Sequence, residues 1–527
     1  MKRYARSVGL CLGLMLLPAA AQAQRIPPAT GQQIRDLISQ NERTFPDGQN
    51  DRPRRGGSGI GLPDLFQIFR NRPTAPRPQS PRGILEDQLK DVRPAEAVQL
   101  FEAWQAQKFS QYLEMPAPGT PVDAAQISQR LGQLSRLTGQ RSGLLYVVAL
   151  EDELQLLFIP PSDSPVAQQP FQIASSRPGQ LAQASPTVVR EVLGKVDRSD
   201  VLKEAKKFRR EVSDPSKVNT ASYLKSSQKL YQWIVQPLVP QLQAHGIETL
   251  LFSMDDKLRS LPIAALHDGQ QFLIEKHQVA LIPSFQLTES SYGDLRKQTV
   301  LAMGVSESTQ GLSPLPAVPV ELAALANHFW QGQSHATLNQ DSTLSNLQTF
   351  HQQNRYGIIH LATHAQFKSG APQNSFIQFW NGKLNLNQLR GLSQSLRWQS
   401  NPSVDLLVLS ACQTAVGSEE AELGFAGSAL NAGVNSTVAS LWMISDEGTL
   451  GVMSKFYEHL RSAPTRTEAM RQAQLAMLQG KVQITNEMLQ LSDQVQMALP
   501  PALAQRGDRN FTHPYFWSGY TVIGNWN

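Results

Sequence analysis

From Ile247 onward, short unbroken apolar runs alternate with longer amphipathic stretches. The runs are Thr249–Ser253, Val279–Pro283, Thr299–Met303, Gly357–His360, Phe376–Trp380, Asp405–Leu409, Thr437–Leu441 and Tyr520–Ile523. Helical spacing of apolar residues marks stretches near 319–331, 342–353, 422–432, 447–462 and 466–479. A strand that is apolar at every position must be covered on both faces, and intervening helices supply the cover. The pattern predicts an α/β fold, a mostly parallel sheet flanked by helices. In such sheets functional groups gather at the carboxyl ends of the strands.

The rhythm upstream is different. Residues 84–215 read as a helical and β-hairpin module: Leu89, Val92, Ala97, Leu100 and Trp104 recur at near-helical spacing. Leu144–Leu150 and Leu154–Pro160 flank Glu151-Asp152-Glu153 as a hairpin. Helices are predicted near 188–212 and 221–245, the second ending at Gly246. Residues 24–83 are rich in Pro, Arg and Gly, as in Arg52-Pro53-Arg54-Arg55-Gly56-Gly57, and read as a disordered linker. Gly56 to Gly61 lacks the preceding strand that a phosphate-cradling loop requires. Residues 1–23 read as a secretory signal peptide, with basic Lys2, Arg3 and Arg6, an apolar Val8 to Leu17, and Ala21-Gln22-Ala23 as the cleavage site. No later run is long enough to span a membrane, so an exported protein, periplasmic or extracellular, is expected. The net charge of +5 is small for 527 residues and concentrated near the N-terminus, which gives no nucleic-acid footprint.

Of the two cysteines, Cys11 lies in the predicted signal peptide, leaving Cys412 as the mature thiol. It closes the run Val404-Asp405-Leu406-Leu407-Val408-Leu409-Ser410-Ala411-Cys412, just as His364 closes Gly357-Ile358-Ile359-His360-Leu361-Ala362-Thr363-His364. A thiol and an imidazole at matching strand ends are what a thiolate nucleophile and its base need. Free cysteines are also among the most buried residues, so packing is one alternative and redox sensing another. His360, four residues before His364, is expected on the same face of the strand about 13 Å away, as a hydrogen-bonded structural residue. No carboxylate or further cysteine completes a metal set, and no cofactor is expected. In the catalytic reading His364 takes the Cys412 proton, and the backbone N–H groups of Cys412 and Ala365 are the oxyanion donors.

Further motifs occupy the same region. They include Leu258-Arg259-Ser260-Leu261-Pro262 continuing to Gly269, Pro314-Leu315-Pro316-Ala317-Val318-Pro319-Val320-Glu321-Leu322, and Ala421-Glu422-Leu423-Gly424-Phe425-Ala426-Gly427. Val438-Ala439-Ser440-Leu441-Trp442, followed by Asp446, and His513-Pro514-Tyr515-Phe516-Trp517 complete the set. With the two strand ends, and in this order over roughly residues 216–527, they resemble CHAT-domain proteins of the caspase–separase cysteine peptidase clan, particularly cyanobacterial members. The resemblance implies a caspase-like fold, His364 as base, Cys412 as nucleophile, and Asp446 in a pocket for a basic P1 side chain. His364 precedes Cys412 by 48 residues, and about fifty separate the pair in caspases. Ala365 stands where many caspase-like enzymes carry glycine.

The expected function is an exported caspase-like cysteine endopeptidase acting on a protein or peptide substrate, with an activating protein partner as a further expectation. Arg54-Arg55 and Arg82 are candidate self-cleavage sites if P1 is basic. The alternatives are a non-catalytic protein-binding scaffold and a thiol redox sensor.

Overall fold

The computed structural model describes residues 80–163, 188–400, 403–414, 418–492 and 495–527, excluding the side chains of 411–414. The expected signal peptide, the linker as far as residue 79 and Arg54-Arg55 lie outside the described residues. Three helices come first, Pro81–Asp91, Pro94–Tyr112 and Ala124–Thr138. Proline opens the first two, where a missing N–H loses no helical bond. Asp123 caps the third by accepting from Gln126 N, and Gly139 ends it in the left-handed region at φ 72°.

Strands β1 (Ser142–Ala149) and β2 (Leu154–Ile159) form the expected antiparallel hairpin. β3 (Val189–Leu193) pairs antiparallel with β2, where the sequence pattern predicts the start of a helix. That helix begins only at Arg198, behind its Asp197 cap. Val188, Val189 and Val192 suit a pleated edge, and the open side of β2 gives their backbone a ladder, so pairing wins over local helical spacing.

All eight predicted apolar runs are strands. They are β4 (Thr249–Met254), β5 (Gln278–Leu281), β6 (Val300–Gly304), then, after β7 (Ser334–Leu338), β8 (Ile358–Phe367) and β9 (Phe376–Phe379). After β10 (Gly382–Asn385) follow β11 (Leu406–Thr414) and β12 (Ser436–Ser440). A separate small sheet contains β13 (Gln483–Thr485), β14 (Met488–Gln490), β15 (Gln496–Ala498) and β16 (Arg509–Asn510), and β17 (Tyr520–Gly524) returns to the main sheet.

The main sheet has thirteen strands in two parallel blocks. β7-β6-β8-β11-β12 form one and β17-β5-β4-β1 the other, joined antiparallel where Val438 faces Val522. β2 and β3 extend the second block, and the β9–β10 hairpin hangs on the far end of β8. Residues 142–159 and 189–193 therefore share one sheet with the strands after Ile247. Leu250, Leu251, Ile358, Ile359, Leu406, Leu407 and Val438 are fully buried, each worth about 1.5–3 kcal/mol relative to exposure. Helices Val318–Ala324, Glu419–Ala426 and Asp446–Leu460 cover the first block, and Arg466–Leu478 packs on β5 and β17. Among the described residues no helix is long and apolar enough to cross a membrane.

Candidate active site

β8 and β11 are adjacent and parallel, with Ile358 opposite Leu406. The sequence pattern places His364 and Cys412 at the strand ends, but pairing continues past both, to Phe367 and Thr414. Small and polar residues there break the apolar pattern without ending the ladder, because buried backbone groups still need partners. Leu361 faces Leu409 and His364 faces Ala411, so β8 carries one extra residue across this step, a β-bulge around Ala362 and Thr363. The bulge lies between His360 and His364 and interrupts the alternation that would hold them on one face. Cys412 stands opposite Ala365, which by ordinary strand geometry puts its backbone about 6 Å from that of His364. Ala365 is buried and flanked on its other side by Ile377 of β9.

His364 is 5% exposed, and its Nε2 lies 2.9 Å from the Ser313 carbonyl oxygen. A carbonyl only accepts, so Nε2 carries the proton and Nδ1 keeps the lone pair of the neutral ring. Ser313 belongs to the loop that follows β6. Within it, Leu315 N donates to Ser306 O at 2.8 Å, and Gln378 Nε2 donates to Thr309 O at 3.2 Å.

Asp446 begins the helix Asp446–Leu460, just after Ser445, whose hydroxyl accepts from Gly448 N as the N-cap. The Asp446 Oδ2 accepts the Ala317 N–H at 2.5 Å. Burial pushes this carboxyl up to about 7; the Ala317 N–H opposes that rise, and the nearby Glu321 and Glu447 add to it. Glu447 is fully buried and meets Arg506 at 2.8 Å. His360, fully buried, has Nδ1 3.0 Å from the Tyr457 hydroxyl and Nε2 3.0 Å from Glu321 Oε1. Among the described residues no group of three or more His, Cys, Asp or Glu is placed to hold a metal ion.

The remaining motifs brace this region. Glu422, fully buried, meets Arg209 at 3.0 Å, accepts from the Ser260 hydroxyl and receives the Arg259 N–H. Burial pushes the Glu422 carboxyl up, against the attraction of Arg209. Lys108, from the N-terminal helices, bridges Asp256 and Glu419. A Cβ at Gly427 would lie 2.8 Å from Leu113 Cδ1 and from Leu423 O, so this position demands glycine. Trp442 Nε1 donates to Tyr515 O at 3.1 Å, joining the β12 end to the His513–Trp517 motif. Arg82 is not an exposed cleavage site: it lies in a helix, its guanidinium bonded to Asp255, Glu86 and the Ala149 carbonyl. A protease needs an extended, reachable segment, and this side chain is held on three sides. The Ser313 carbonyl, Tyr457 and Arg209 carry no signature of their own in the sequence, although the Pro314–Leu322 motif marks the loop and the helix after it.

Solved structures give distant likenesses. The separase–securin complex of Saccharomyces cerevisiae matches at a TM-score of 0.34 and 8% identity, over 84% of this chain and 34% of that one. The pro- and mature domains of RgpB from Porphyromonas gingivalis match at 0.33 and 10%, over 62% and 76%. This chain thus spans about a third of the separase chain. Among curated proteins none matches. The family model described as the CHAT domain matches residues 224–525, more than half of the sequence, and the chain belongs to that family.

Proposed function

We propose that the protein is a caspase-like cysteine endopeptidase in which Cys412 is the nucleophile and His364 the base. One observation carries this reading: Ser313 fixes His364 as the Nε2–H tautomer on the strand beside the one that holds Cys412, with the two backbones about 6 Å apart. The Nδ1 lone pair is then the one that takes the thiol proton. The thiolate attacks the peptide carbonyl carbon, whose oxygen becomes an oxyanion stabilised by backbone N–H groups, with Cys412 and Ala365 the candidates. Collapse of the adduct breaks the C–N bond, and the imidazolium returns its proton to the leaving amine. Water then hydrolyses the thioester, with His364 again as base.

Preference for a basic P1 residue, with Asp446 as its acidic partner, comes from the family resemblance and belongs to the same proposal. Export, read from the N-terminal sequence, and an activating partner are also part of the proposal. The test compares wild type, Cys412→Ala and His364→Ala on fluorogenic peptides bearing Arg, Lys, Leu or Asp at P1. Cleavage by wild type alone, fastest after Arg or Lys, is the expected result. If no peptide is cut and an electrophilic peptide probe leaves Cys412 unlabelled, the peptidase reading is lost.

A further inference from the structure

His364 and Asp446 sit on different elements and do not touch, yet a short strap connects them. Its sequence is Ser313-Pro314-Leu315-Pro316-Ala317. At one end the Ser313 carbonyl accepts the His364 Nε2–H at 2.9 Å. At the other the Ala317 N–H donates to Asp446 Oδ2 at 2.5 Å. Two prolines fix their own φ angles and restrict the residues before them, so displacement at one end is poorly absorbed in the middle. Leu315 pins the centre through its 2.8 Å bond to Ser306 O and its buried side chain. Ala317 is fully buried, so its N–H has no water to turn to if Asp446 is removed.

We propose that Asp446 is a positioning residue for His364, acting through this strap: it holds the Ala317 end, and the Ser313 end fixes the imidazole. The proposal rests on the Cys412–His364 reading above and assigns the Asp446 carboxylate a task that does not involve substrate. The charged groups facing Asp446 are Glu321 on the helix Val318–Ala324, Glu447 on its own helix, and Arg506 across from Glu447. None of them bonds the Ala317 N–H, which goes to Asp446, while the Ala317 carbonyl accepts from Val320 N at 3.0 Å and Glu321 N at 2.9 Å.

Asparagine separates the two roles, because it keeps a carbonyl oxygen for Ala317 but cannot pair ionically with a basic P1 side chain. The experiment uses the full chain with Cys11→Ser, leaving Cys412 as the single thiol, and adds Asp446→Ala, Asp446→Asn or His364→Ala. The readouts are the pH profile of iodoacetamide labelling, kcat and KM on Arg-P1 and Leu-P1 peptides, and the tautomer of His364 in 15N-histidine spectra. Loss of one hydrogen bond predicts labelling at pH 7 and kcat both lower by about fivefold in Asp446→Ala, equally for both peptides, with recovery in Asp446→Asn. The His364 Nε2–H signal should weaken in the alanine variant and return in the asparagine variant.

A loss confined to Arg-P1 peptides and equal in both variants overturns the strap and leaves Asp446 a pocket residue. Should His364→Ala label as fast as wild type, the dyad reading itself fails, and the ring spectrum alone decides the strap. An unchanged Nε2–H signal in Asp446→Ala overturns it, and a weakened one supports it.

Discussion

Burial holds the Asp446 carboxyl up to about 7, from 3.8 in an exposed chain. An unfolded chain gives up this proton near pH 4, whereas the folded protein keeps it until about pH 7. Stability from this group therefore falls as pH rises from 4 to 7 and stays lower above that. Asp446→Asn should melt with wild type near pH 4 and be more stable at pH 8, by on the order of 2–4 kcal/mol. Thermal or urea unfolding at both pH values checks this, and an offset independent of pH would mean that the carboxyl titrates normally. At this scale the sequence discloses side chains better than backbone. His364 and Cys412 stand out because few residue types can serve as base and nucleophile, the roles proposed for them. The Ser313 carbonyl is not, since every residue has one and only the fold decides where it points.

Elements obey the same logic at greater length. The apolar runs are legible because burial on both faces leaves few polar positions in them. β3 is not, because Val189–Leu193 becomes a strand only when β2 offers an open edge. The extensions of β8 and β11 past His364 and Cys412 are hidden for a similar reason: small and polar residues look like a strand end until a neighbour continues the ladder. The helix Glu419–Ala426 has its own dependence. Glu422→Ala would strand the Arg209 guanidinium, 3% exposed, without its countercharge, at about 3–5 kcal/mol. Replacing both partners, as Glu422→Leu with Arg209→Met, should cost clearly less than the sum of the two single changes in urea unfolding. Additive losses would show the pair to be uncoupled. Gly427→Ala should also destabilise, because Leu113 and the Leu423 carbonyl leave no room for a methyl group.

On the scale of the molecule, the strands of residues 142–193 are part of the same sheet as the strands that carry the site. A fragment of 216–527 would expose the long side of β4, which β1 covers from Ser142 to Val147. That fragment should aggregate, whereas 80–527 should elute as a defined species in gel filtration. Equal behaviour of the two would show that β1–β3 are dispensable. If export is part of its function, as proposed, cleavage after Ala23 gives a chain that begins at Gln24, which intact-mass measurement of protein recovered outside the cytoplasm would show. One feature of the sheet also sets a schedule. β17, at 520–524, is the strand latest in sequence, yet it sits at the centre, between β12 and β5. Until it is made, the half carrying His364 and Cys412 has no strand ladder to the other half, and side-chain bridges such as Glu422–Arg209 and Lys108–Glu419 are what link the two. The ladder between the two blocks closes only when residues 520–524 have been made, so the other strands of each block are complete in sequence before the strand that joins them exists.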